Sequence, residues 1–216
     1  MGAALLSVAQ GTLPVRAASG GAAHFQVDYS NPGLVPAQWT MEIHPDGSGH
    51  FKTERGQAPV QGIEPPDVDR DIQLSPQFAA HVFAVAEHKK LFREGCESHM
   101  KVAFQGTKRL TYSGPAGKGS CEFNYSKDAE IQNLSDSLIS VATTLISGAR
   151  LQALLLHDRL GLDRETEVLV EAATDGRAMQ IGSIRDILER LEDDPAVLDR
   201  VKRRARILLN KADSGA

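Results

Sequence analysis

At Ser126 the hydrophobic period of this chain changes. Before it, apolar residues recur mainly at every second position and are interrupted by Pro- and Gly-containing turns. Beyond it, Ile131, Leu134, Leu138, Val141 and Leu145 share one helical stripe and no strand signal returns. This pattern predicts an α+β fold: a small antiparallel β-sheet of hairpins and a meander with one inserted helix, followed by an all-α C-terminal helical region. The expected division is 1–23 as a signal-peptide remnant or disordered tail, 24–126 as a β-rich α+β domain, and 127–216 as a helical region packed on it.

In the β-rich half, His24 to Tyr29 alternates until Asn31-Pro32-Gly33 breaks it. A hairpin then runs from Trp39 to Thr53 around Pro45-Asp46-Gly47-Ser48, where glycine is free to take positive φ. Setting His44 opposite His50 pairs Ile43 with Phe51 and Glu42 with Lys52. Trp39, Met41, Ile43 and Phe51 are then buried, and Glu42, His44, His50 and Lys52 face solvent. Gly56 to Asp69, with Pro59, Pro65 and Pro66, reads as an exposed loop. A short strand, Asp71 to Leu74, leads to Ser75-Pro76, a helix N-cap with proline at the first helical position. Phe78, Val82, Val85 or Ala86, and Leu91 carry that helix toward a stop at Gly95. Met100 to Tyr125 reads as a three-stranded meander with turns at Gln105–Thr107 and Gly114–Gly117.

In the second half, a helix starting at Ser126 is expected to reach His157, with Gly148 as a candidate interruption and Gly161 as a stop. Shorter helices are expected at about Asp163–Ala173, Ile184–Leu191 and Pro195–Leu209, the last opened by Asp194-Pro195 and docked through Val197, Leu198, Val201 and Leu208. No internal repeat marks a solenoid.

The 41% hydrophobic content supplies a core, and with only 5% aromatics that core is largely aliphatic. A net charge of −4 gives no global attraction to nucleic acid, which is not an expected partner. No uninterrupted apolar run approaches the roughly 20 residues of a membrane span, so no transmembrane segment is expected. Ala3 to Ala9 resembles the late part of a secretory apolar region, with small-residue cleavage patterns at Ser7-Val8-Ala9 and Val15-Arg16-Ala17. The basic leader is missing, which leaves a truncated signal and a Gly/Ala-rich tail as two readings.

The two cysteines, Cys96 and Cys121, are expected to form a disulfide, provided the Cys96 segment curls over the third meander strand. They do not complete a zinc pattern, although His99 lies nearby. No nucleophile elbow, phosphate-binding loop, HExxH or EF-hand is present, and no catalytic residue or cofactor is expected. The weak metal candidates are His44 and His50, on one face of the hairpin. His81, His88 and His157 read as surface residues. Arg200, Lys202, Arg203, Arg204 and Arg206 make the last helix basic, and Asp186, Glu189, Glu192, Asp193 and Asp194 before it offer charge complementarity within the chain.

These features favour a non-enzymatic, extracytoplasmic binding or interaction module of the cell envelope, periplasmic or secreted, with a protein or small-molecule partner. The alternatives are an enzyme whose residues converge only in the fold and a cytoplasmic regulatory module using the basic terminal helix.

Overall fold

A computed structural model describes residues 22–59 and 66–214. The signal-like stretch therefore lies outside the described residues, as does the middle of the Pro-rich loop. Six strands, β1 (His24–Ser30), β2 (Gln38–Ile43), β3 (Ser48–Glu54), β4 (Asp69–Gln73), β5 (Thr107–Gly114) and β6 (Gly117–Phe123), form one antiparallel sheet in the order β4-β3-β2-β1-β5-β6. The helices are α1 (Pro76–His88), α2 (Ala129–His157), α3 (Gly161–Thr174), α4 (Arg185–Asp193) and α5 (Asp199–Asp213). The fold class is α+β, as the change of period implies.

Alternation along each strand sorts the sheet into two faces. Phe25, Val27, Trp39, Met41, Ile43, Phe51, Leu110, Tyr112 and Phe123 are buried on the inner face. There α1 crosses the sheet, with Phe83 edge-on to Tyr112 at 6.1 Å. The buried residues of the helical half belong to the same continuous hydrophobic cluster. On the outer face polar residues from all six strands are left to water.

The β2–β3 hairpin buries Trp39, Met41, Ile43 and Phe51 as expected. Its register, however, is two residues tighter than the sequence reading: Met41 faces Phe51, Ile43 faces Gly49 and Glu42 faces His50. The His44 N–H donates to the Ser48 carbonyl at 2.8 Å, leaving a loop of Pro45, Asp46 and Gly47 with Gly47 at φ 83°. A slip of two preserves which face each residue occupies and changes only its partners. Glu42, His44 and His50 are half-buried, and only Lys52 is fully exposed.

The meander has two strands, not three. Both sides of β5 are filled, by β1 and β6, so Met100–Phe104 has no slot beside it. That segment runs irregularly, with Met100 and Phe104 exposed. Before it, α1 stops at His88, and Lys90, Leu91 and Phe92 follow in the left-handed region at φ 50°, 59° and 62°. Three consecutive non-glycine residues there are strained; burial of Leu91 and Phe92 compensates. This turn aims the chain at β6, where the Cys96–Cys121 disulfide joins Cα atoms 5.6 Å apart and Ser98 N–H donates to the Tyr125 carbonyl at 2.9 Å. Disulfides of this kind persist in oxidising compartments.

Helix α2 is capped by Asp128 in place of Ser126: the backbone N–H groups of Glu130 and Ile131 donate to the Asp128 carboxylate at 3.0 and 3.3 Å. It passes through Gly148 without interruption, and Gly161 begins α3 instead of ending α2. By length and composition α2 is long and apolar enough to cross a membrane, with a mean hydropathy of 1.5 over its most apolar window. Weakly polar Ser, Thr and Gly interrupt the apolar run without making the helix hydrophilic. Of that window, 50% is buried inside the protein. Helix α5 starts at Asp199, because Asp194-Pro195 forms a turn in which the Asp194 carboxylate accepts from Ala196 N–H at 2.8 Å. Val197, Val201 and Leu208 dock with Ala205 and Leu209, but Leu198 is 44% exposed.

Candidate functional site: a polar cleft along the β4 edge

An open cleft of about 840 Å³ wraps around β4. One wall is the outer face of the sheet, with His44, Ser48 and His50. The other is the turn at Ile181–Ile184 and the start of α4, with Ser183, Arg185, Asp186 and Glu189.

Strand β4 is an edge strand, and its geometry follows from its pairing with β3. Thr53 N–H donates to the Val68 carbonyl at 2.9 Å and Leu74 N–H to the Gly47 carbonyl at 2.8 Å. Antiparallel bonding alternates, so the N–H and C=O groups of Asp69, Asp71 and Gln73 point away from β3. Among the described residues no strand pairs with that side.

His50 stands opposite Asp71 in the register. Its Nδ1 lies 2.9 Å from the Asp71 carboxylate and its Nε2 2.9 Å from that of Asp69. Only the imidazolium can donate from both nitrogens, so these contacts hold its pKa above the ordinary histidine value, Asp71 contributing most and partial burial opposing. Both nitrogens being engaged, His50 does not join His44 in a chelate. The register shift separates them further, since His44 pairs with Ser48 and His50 with Glu42. The neighbour His44 does meet is His24 on β1, a residue the sequence reading placed on a strand and otherwise passed over. Their ring centroids are 5.5 Å apart. Among the described residues no group of three or more His, Cys, Asp or Glu side chains is arranged to hold a metal ion.

Across the cleft the cations are already paired. Arg70 reaches Asp186 at 3.4 Å, and Arg185 bonds Asp213 and lies 3.6 Å from Glu189. Ser183 is buried, and its hydroxyl has no hydrogen-bond partner among the described residues. The cleft thus offers strand-edge amides and carbonyls, and its acids Asp71, Asp186 and Glu189 are matched by Arg70, Arg185 and the His50 imidazolium.

The other singled-out residues are occupied elsewhere or lie exposed. His88 contacts Glu130 at 2.9 Å, while His81, His99 and His157 are exposed. Three arginines of α5 are paired within the chain, chiefly with α3: Arg200 and Arg204 each reach Asp163 at 2.6 Å, and Arg204 reaches Glu167 at 3.3 Å. Only Glu192, contacting Arg206 at 2.7 Å, comes from the acidic stretch before α5. Arg204 is accordingly half-buried and Arg203 exposed.

Two polar groups near the disulfide escaped the sequence reading. Lys108 is 1% exposed, and its Nζ donates to the Asn124 carbonyl at 2.6 Å; burial lowers its pKa. The parity of Leu110 and Tyr112 points it inward and was the available signal. The Glu97 carboxylate accepts from Asn124 N–H at 2.7 Å and His99 N–H at 3.1 Å, and these bonds, Asn124 first, lower its pKa. No protein-family model matches the chain, and no curated protein matches it in sequence.

Proposed function

We propose that this chain is an exported, disulfide-stabilised interaction module that binds an extended polypeptide segment by strand addition along β4. The observation that carries the reading is the row of outward N–H and C=O groups at Asp69, Asp71 and Gln73, of which Asp71 and Gln73 line the cleft. An incoming strand would pair with them through its own backbone, displacing the Arg70 Nε that donates to the Asp71 carbonyl at 3.5 Å, which gives affinity without requiring a particular sequence. Selectivity would come from charge. The most exposed charges at the edge are the Asp69 and Asp71 carboxylates, and a segment with Lys or Arg at alternate positions would compete with His50 for them. The extracytoplasmic assignment is supported by the disulfide and by the apolar, small-residue character of Ala3 to Ala9.

The test is a backbone substitution. The N–H of Asp71 points away from β3, so Asp71→Pro removes an outward donor while sparing the β3–β4 ladder, a placement edge strands tolerate. The probe is a synthetic extended peptide with alternating Lys and Val, compared with its Glu/Val counterpart. Amide shifts confined to Asp69–Leu74 with the Lys peptide, weaker with the Glu peptide and abolished by Asp71→Pro, are expected. Equal binding to wild-type and Asp71→Pro protein, or shifts centred elsewhere, would overturn the reading.

A further inference from the structure

We infer that His24 and His44 form a two-imidazole site for a divalent first-row transition-metal ion, copper(II) foremost, joining the start of β1 to the end of β2. Phe25 faces Ile43 in the β1–β2 register, so the next position along sets His24 opposite His44. Asn31 N–H donates to the Ala37 carbonyl at 2.7 Å, which makes the odd-numbered positions of β1 the hydrogen-bonded pairs. His24 and His44 therefore occupy a non-hydrogen-bonded pair, the kind whose side chains come closest.

The geometry suits a shared ion. With metal–nitrogen bonds of about 2.0 Å and each ring nitrogen about 1.1 Å from its centroid, two imidazoles can share one ion at centroid separations up to about 6 Å. Here the separation is 5.5 Å, with the rings inclined at 50°. Both residues are half-buried, so one side of the pair is open to the water that would complete the coordination. Neither imidazole has an ion-pair or hydrogen-bond partner among the described residues, in contrast to those of His50 and His88. Two neutral imidazoles without a thiolate favour ions late in the first-row series, copper(II) above nickel(II) and zinc(II), over calcium or magnesium. His24 sits on β1, and His44, one residue past β2, is tied by its N–H to the Ser48 carbonyl, so binding costs little chain ordering.

The experiment titrates the full chain, disulfide intact, with copper(II), following heat and the electron paramagnetic resonance spectrum. One ion per chain with hyperfine coupling to two nitrogens is expected. His24→Gln and His44→Gln should each weaken that site by about tenfold or more, since each removes one arm of the chelate, and should leave a one-nitrogen spectrum. His50→Gln should change neither. Circular dichroism checks that each variant is folded. Unchanged affinity in both single variants, an equal loss in His50→Gln, or no copper binding would overturn the inference. Asp71→Pro should leave copper binding intact, so failure of the peptide reading and failure of this one are separable.

Discussion

Gly148→Ala tests the packing of the helical half through the sign of its effect. In an exposed helix the change stabilises by about 1 kcal/mol, because alanine loses less backbone freedom on folding than glycine does. Here an added methyl would lie 2.5 Å from Cγ2 and 3.1 Å from Cβ of Ile184, and 3.3 Å from Cδ1 of Ile187. Ile184 and Ile187 are both 0% exposed, and a β-branched methyl cannot rotate away from its own Cβ. Overpacking of this kind costs about 1–3 kcal/mol; taking the upper end and subtracting the propensity gain leaves a net loss of about 2 kcal/mol. Removing the closest obstacle should relieve most of that loss. In an Ile184→Ala background the Cγ2 contact is gone and only the retained Cβ and Ile187 Cδ1 must give slightly, so the propensity gain and the residual crowding should nearly cancel, a coupling of about 2 kcal/mol across the cycle. Denaturant unfolding of the oxidised protein, followed by circular dichroism and by the single Trp39, stacked on Tyr29 at 5.2 Å, supplies the four free energies. If Gly148→Ala stabilises the wild-type chain, or acts equally in both backgrounds, the close approach of α2 to Ile184 is wrong.

The disulfide closes a loop with a sequence separation of 25, so replacing Cys96 and Cys121 by serine should cost about 3 kcal/mol; mass spectrometry of protein recovered without reductant should show the bond, and two free thiols there would refute both it and the export reading. His50 has a raised folded-state pKa, so its contribution to stability is fully present below its unfolded value of about 6.5 and is lost as pH rises through the higher folded value. The difference in unfolding free energy between wild type and His50→Gln should therefore shrink as pH is raised through that window, and a pH-independent difference would show that Asp69 and Asp71 do not hold the imidazolium. Arg204→Glu should cost about 1–2 kcal/mol by opposing Asp163 and Glu167 from a partly buried position, whereas Arg203→Glu should stay within about 0.5 kcal/mol; equal melting shifts would refute the difference in their surroundings.

Much of this fold is legible along the chain because the determining interactions are local. The period-two burial of Phe25, Val27, Trp39, Met41 and Ile43 needs only that one face of a sheet be dry. Ser75 caps α1 within one turn, the Phe78 N–H donating to its hydroxyl at 3.2 Å. The cysteine pairing was readable from an even count. What sequence order could not supply was which strands become neighbours: β1 reaches across to β5, 76 residues away at the contact of the Tyr29 hydroxyl with the Gln105 carbonyl. That one long-range pairing removes the slot for a third meander strand and leaves Met100–Phe104 outside the sheet.

The same distinction governs the candidate sites. Parity along a strand put His44 and His50 on the outer face from sequence alone. Their partners depend on register: a slip of two residues between β2 and β3 leaves parity untouched but parts His44 from His50, while the β1–β2 and β3–β4 registers give His44 to His24 and His50 to Asp69 and Asp71. Gly148 is the converse case. Read locally it is a helix breaker, and only the approach of Ile184 reveals that it is small because another segment comes close. Local chemistry therefore determined the type of each element and the face each side chain takes. Contacts between residues far apart in sequence, invisible to any short window, decided which of those side chains meet.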